Sequence, residues 1–265
     1  MTDIYQEIVR IRAGEEEAAL VTIVSAVGST PREEGAKMLV RGDGSIVGTI
    51  GGGRVEALAI KAAFEVVSKG KPQRLRFSLK AGDEPGMACG GNIEVFIEPI
   101  LSTPTLFIFG GGHVAFTLAR IGKLVGFRIV VIDSRPEYAN ARRFPDADLI
   151  LAEDFMKAFS KIEISKSSYV VIVTHDHKSD EAVLEKALAS EAKYIGMIGS
   201  KNKNATIFSH LLAKQIPQKQ LDRVQAPIGL QIGAQTPEEI AVSILAEVIK
   251  IRRLVPAESA KRRSQ

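Results

Sequence analysis

From about residue 104 onward the chain repeats one pattern, a short and nearly continuous apolar run followed by an amphipathic stretch. The runs are Thr105–Phe109, Phe127–Ile132, Leu149–Leu151, Tyr169–Val173 and Tyr194–Ile198. A strand wetted on one side alternates apolar and polar residues, so unbroken runs predict strands covered on both faces, as in a parallel sheet. Between them, Val114–Leu124, Ser179–Ser190 and Asn202–Gln215 read as helices. Right-handed crossovers of this kind build a doubly wound α/β sheet.

The first of these strands runs into Gly110-Gly111-Gly112-His113-Val114-Ala115, which fits G-x-G-x-x-[G/A]. The hexapeptide alone is weak, but here it leaves a strand and opens a helix, the context its mechanism needs. Gly110 makes the sharp turn, Gly112 lets backbone approach a pyrophosphate, and Ala115 lets the helix pack close to the strand. The unpaired N–H groups of the helix start then face the anion. Asp133, at the end of the second strand, is placed to bond ribose hydroxyls and disfavour a 2′-phosphate. His113 is a candidate ligand contact. The expectation is a Rossmann-like domain over 104–255 that binds NAD or another nucleotide. Fold does not fix chemistry, so a dehydrogenase does not follow from the turn.

The first 103 residues follow a different rhythm and predict a smaller α+β domain. A helix over Ile4–Ala13 precedes β-rich segments at Ala19–Val27, Ala36–Val40 and Ile46–Gly48. A Gly51-Gly52-Gly53 turn opens a helix over Arg54–Ser68, and strands follow at Leu75–Leu79 and Ile93–Ile97. Glu98–Pro104, with prolines near both ends, reads as the interdomain boundary. At the far end, residues 256–265 form a basic tail with Lys261, Arg262 and Arg263, read as a frayed terminus.

A net charge of +4 is small for 265 residues and argues against nucleic-acid binding, which wants a larger, clustered excess. No apolar run is long enough for a membrane helix. The N-terminus is amphipathic and charged, without an apolar leader segment, so the expected compartment is the cytoplasm. One cysteine, Cys89, excludes an internal disulfide.

Four further segments hold candidate chemistry. Thr174-His175-Asp176-His177-Lys178-Ser179-Asp180 follows the fourth strand at the ligand-binding edge; it reads as a ligand pocket through His175, as capping by Asp180, or as a metal site. Two histidines this close, with no further His or Cys at ligand spacing, weaken the metal reading, and no metal is expected. After the fifth strand, Ser200 and Lys201 can bind an anion, or Ser200 can simply cap the next helix. The Gly51–Gly53 turn, with Arg54 and Glu56 in the first helical turn, is a second possible anion site or a solvated helix start. Cys89 lies among glycines in Gly86-Met87-Ala88-Cys89-Gly90-Gly91 and is either a chemical thiol or structural filler.

Together these segments resemble the xanthine dehydrogenase accessory factor family (XdhC/CoxI). The matching stretches are GSTPREEGAKM (28–38), GTIGGGRVEALA (48–59), GMACGGNIEVFIEPI (86–100), FGGGHVA (109–115), THDHKSD (174–180), YIGMIGSKNK (194–203) and PIGLQIGAQTPEEIAVSILAEV (227–248). Seven in order across two domains are specific where each alone is not. The resemblance implies a maturation factor that binds molybdenum cofactor (molybdopterin) and promotes insertion of its sulfurated form into a molybdenum hydroxylase such as xanthine dehydrogenase. It also implies association with a cysteine desulfurase and a homodimer. Under it, Gly51, Gly52, Gly53 and Cys89 match the N-terminal motifs, and Gly110, Gly112 and Asp133 match the nucleotide-binding part. The alternatives are an NAD(H)-dependent oxidoreductase and a relay of persulfide sulfur through Cys89.

Overall fold

The structure, a computed structural model, describes residues 3–14, 16–79 and 90–253. The chain divides into two compact units, Met1–Thr103 and Pro104–Gln265.

In the first unit the described residues form α1 (Ile4–Ala13), β1 (Ala18–Val27), β2 (Lys37–Arg41), β3 (Ile46–Gly48), α2 (Gly53–Lys69), β4 (Gln73–Ser78) and β5 (Asn92–Ile100). The strands pair antiparallel in the order β3-β2-β1-β5-β4. Alternation along β1 splits its side chains between two layers. Ala19, Val21 and Ile23 pack with Val55, Ala59, Ala63 and Val66 of α2. Ala18 and Leu20 face the other way, with Ile11 of α1 and Leu39 of β2. α1 is pinned by its one buried acid, Glu7, whose Oε1 accepts from Arg10 Nη2 (2.8 Å) and from Arg41 Nε of β2 (2.7 Å). Those two guanidinium groups hold the Glu7 carboxyl down at about 2.

β5 is longer than the expected Ile93–Ile97 and takes up the start of the segment read as the boundary. Strand pairing continues through Glu98 and Pro99, opposite Leu20 and Ala19, to Ile100 opposite Ala18. β4 reaches only as far as Ile97, so Pro99 sits where β5 has one neighbour and its missing N–H breaks no ladder on the other side.

The second unit contains β6 (Thr105–Phe109), α3 (His113–Leu124), β7 (Arg128–Asp133), β8 (Leu149–Ala152), α4 (Phe155–Ala158), β9 (Ser168–Ile172), α5 (His177–Leu188), β10 (Tyr194–Met197), α6 (Lys201–Ala213), α7 (Gln218–Leu221), β11 (Val224–Gln225) and α8 (Pro237–Arg253). All pairings are parallel, in the order β11-β10-β9-β6-β7-β8. This is the doubly wound Rossmann arrangement, with its switch point between β6 and β9. Every residue of β6 and β9 is buried, as continuous apolar runs require. On one face Leu106, Ile108, Ile129 and Val131 pack against α3 and α8. On the other, Phe107, Phe109, Val130 and Ile132 pack against α4, α5 and α6. α8 starts with a complete capping box: Glu239 N–H donates to Thr236 Oγ1 (3.2 Å) and Thr236 N–H donates to Glu239 Oε2 (3.1 Å). No described helix is long and apolar enough to cross a membrane.

Candidate functional site

The carboxyl ends of β6, β7, β9 and β10 carry the site. At the end of β6 the chain turns through three glycines with different duties. Gly110 has φ +113, and a Cβ there would overlap the Val173 carbonyl. Gly111 lies against Tyr138, whose carbonyl a Cβ would strike. Gly112, the N-cap of α3, has ordinary extended backbone, open space where a Cβ would stand, and no side chain capping the helix. The helix start is therefore open in the direction from which an anion would come, and this opening fits a phosphate. His113, the first helical residue, is exposed beside it.

Asp133 does not present itself to a ribose. Its side chain is 0% exposed. Oδ2 accepts the Gly111 N–H (2.7 Å) and Arg135 Nη2 (3.0 Å), while Oδ1 accepts the Arg135 N–H (3.0 Å) and Nε (2.9 Å). Burial opposes its ionisation, but the Arg135 guanidinium and the two backbone donors outweigh burial and hold the carboxyl below its ordinary range. The acid thus fastens the second strand to the glycine turn. Arg143 holds the same turn from its carbonyl side, Nε donating to Gly111 O (2.9 Å). Tyr138 lies under Arg135, guanidinium to ring centre 3.8 Å, and Arg143 lies 5.5 Å from the same ring.

In the loop after β9 the cap is not Asp180, although its spacing allows that as one of three readings. α5 begins at His177, and Asp176 is the cap, accepting from Ser179 N–H (2.9 Å) and Oγ (2.7 Å). Those bonds hold the Asp176 carboxyl below its ordinary range. Asp180, one turn further on, is fully buried; it accepts from Thr174 Oγ1 (2.7 Å) and pairs with Lys203 of α6. This buried pair ties the β9 loop to the β10 loop, and a buried charge is stable only when so matched. His175 is 41% exposed, with Nε2 3.2 Å from Asp176 Oδ2. Ser200 caps α6, accepting from Lys203 N–H (3.2 Å). Among the described residues, no three His, Cys, Asp or Glu side chains converge as a metal site.

In the first unit, the Gly51–Gly53 turn is already served from within. Glu56 Oε2 accepts from Thr49 Oγ1 (2.6 Å), Gly52 N–H (3.1 Å) and Ile50 N–H (3.2 Å). Glu56 thus holds the N–H groups that precede the helix, while Gly52, the N-cap of α2, has no side-chain cap and open space where a Cβ would stand, as Gly112 has. Arg54 is exposed in the first turn of α2. Cys89 lies outside the described residues.

Sequence reasoning missed Arg135, Tyr138, Arg143 and Lys203. Only Arg135 left a signal: an arginine near the strand-end acid is a known alternative reader of that ribose.

A parallel 3-2-1-4-5-6 sheet with an uncapped glycine turn at its first strand defines a dinucleotide-type α/β domain. Residues 106–248 match the family described as XdhC Rossmann domain, and residues 11–78 match the XdhC and CoxI family. The chain belongs to this family. It is 35% identical over 257 residues to the Escherichia coli (strain K12) protein named Uncharacterized protein YqeB, covering 96% of this chain and 47% of that one. It is 33% identical over 162 residues to a probable xanthine dehydrogenase subunit of Bacillus subtilis (strain 168), covering 61% and 47%. The chain thus spans about half the length of these two relatives. It is 27% identical over 269 residues to the molybdenum cofactor insertion chaperone PaoD of Escherichia coli (strain K12), covering 89% and 83%. A crystal structure described as a xanthine dehydrogenase from Bacillus halodurans superposes with a TM-score of 0.54 at 26% identity, covering 97% of this chain and 98% of that one.

Proposed function

We propose that the protein is an accessory factor that binds molybdenum cofactor and delivers its sulfurated form to a molybdenum hydroxylase of the xanthine dehydrogenase type. The observation that carries this reading is similarity along most of both chains to PaoD, named as a molybdenum cofactor insertion chaperone. In this reading the protein works in the cytoplasm as a homodimer, with a cysteine desulfurase as sulfur source and Cys89, the chain's single thiol, as the candidate contact for sulfur or molybdenum.

The open start of α3 supports the reading physically. The cofactor ends in a phosphate, free or joined to a nucleotide, and that group supplies the charge the turn would hold. Gly112 and the first N–H groups of α3 bind it; Asp133 and Arg143 keep the turn in place through Gly111. Ser200, His175 and His113 border the same sheet edge as candidate contacts. Asp133 and Asp180 are paired with Arg135 and Lys203, so these two carboxylates oppose an incoming anion little.

The test is co-production with an active molybdenum cofactor pathway, gel filtration, and fluorescence of oxidised pterin in the protein peak. Pterin near one equivalent is expected. Protein that elutes without pterin overturns the carrier reading; if such protein still binds reduced nicotinamide nucleotide, the oxidoreductase alternative takes its place.

A further inference from the structure

An acid at the end of the second strand selects nucleotides with a free ribose 2′-hydroxyl because its carboxylate accepts from that hydroxyl and repels a phosphate. Asp133 does neither, being fully buried, with its oxygens bonded to Gly111 and Arg135. The groups that do face outward here have another character. Ser134, the next residue, is exposed and lines a cavity of about 500 Å³ between the ends of β7 and β8. Two acids and two lysines share that cavity. Asp154 is spent capping α4, accepting from Met156 N–H (3.0 Å) and Lys157 N–H (3.2 Å), and Glu153 is paired with Lys161. Lys157 is exposed and has no carboxylate within ion-pair distance among the described residues. Beside them, the Arg135 guanidinium carbon lies 3.8 Å from the centre of the Tyr138 ring, with 30% of the side chain still exposed. A planar cation fixed in this way offers a stacking surface to a base.

We infer that this cleft takes the adenosine end of a nucleotide carrying a 2′-phosphate, the NADP class, in preference to NAD. The inference rests on the proposed reading of the Gly110–Gly112 turn as an anion seat, which a nucleotide and the pterin phosphate would contest, so it is tested on pterin-free protein. Ser134 and Lys157 bind the 2′-phosphate; Arg135 screens Asp133, Lys161 screens Glu153, and the start of α4 partly offsets Asp154.

The experiment titrates the full chain with NADPH and with NADH, followed by calorimetry and by directly excited nicotinamide fluorescence, since the protein has no tryptophan to sensitise it. NADPH is expected to bind more tightly by about tenfold or more, the worth of one hydrogen bond to a charged group. Lys157→Ala should remove most of that preference, and Ser134→Asp, which restores an exposed acid at the strand end, should reverse it. Both positions are exposed, and circular dichroism checks that the variants fold. NADH binding as tightly as NADPH would overturn the inference and leave the nucleotide seat standing. Failure of both to bind would remove the seat and the inference together.

Discussion

Three adjacent glycines in one turn meet three different constraints, and substitution separates them. At Gly110 a side chain meets the Val173 carbonyl in a backbone region that disfavours it, so Gly110→Ala is expected to cost about 2 kcal/mol or more. At Gly112 the backbone is ordinary and the space is open, so Gly112→Ala should leave the thermal midpoint nearly unchanged while its methyl group occupies the anion's approach. Thermal unfolding with a parallel NADPH titration checks both. A Gly112→Ala protein as unstable as Gly110→Ala would mean that the open side is misassigned. Glu7 allows a second test at this scale. Its carboxyl titrates near 2 when folded, below its ordinary value, so between those values the unfolded chain binds more protons. The stability it contributes is complete above about pH 4.5 and is lost as pH falls towards about 2. Glu7→Gln should therefore flatten the acid limb of a stability–pH curve measured by urea unfolding, and an unchanged limb would refute the assignment.

Helix ends show where local spacing is sufficient. Thr236, Pro237 and Glu239 announce the start of α8 without reference to the rest of the chain, and the capping box forms as written. Thr236→Ala is expected to lower stability by about 1 kcal/mol, and Thr236→Ser to restore it, measured by denaturant midpoints. The five longer parallel strands and the glycine turn were legible for the same reason: continuous burial and turn chemistry are written in consecutive residues. What stayed hidden depends on partners far apart in sequence. The spacing of Asp180 suits a cap as well as the observed pairing with Lys203, and only the packing of α5 beside α6 decides. β5 runs beyond its expected end at Ile97 because Leu20 and Ala19 of β1 are there to pair with it. Asp133 has the position of a ribose reader, but two residues later Arg135 turns back and claims it. β11 has two residues, too few for any period to appear.

Each unit carries its own apolar interior, which sets what should survive separation. The cores on the two faces of the parallel sheet draw all their side chains from residues 106–251, and the cores of the antiparallel sheet draw theirs from residues 4–100. A segment with a complete core of its own is able to fold alone. The fragment that starts at Pro104 should accordingly unfold in one cooperative transition and keep the helix and strand signature of the intact C-terminal unit. It also contains the whole glycine turn, Asp133, Arg135 and the cleft beside Ser134, so it should bind NADPH with the affinity of the full chain. At about a hundredfold excess over the dissociation constant, the ligand would add about 2.7 kcal/mol to that transition and nothing to the transition of residues 1–103. Circular dichroism melts of both fragments, with and without NADPH, read the two effects directly. A fragment from Pro104 that melts without cooperativity would show that its core depends on the first unit. A cooperative fragment that has lost NADPH binding would mean that the nucleotide seat needs residues before 104.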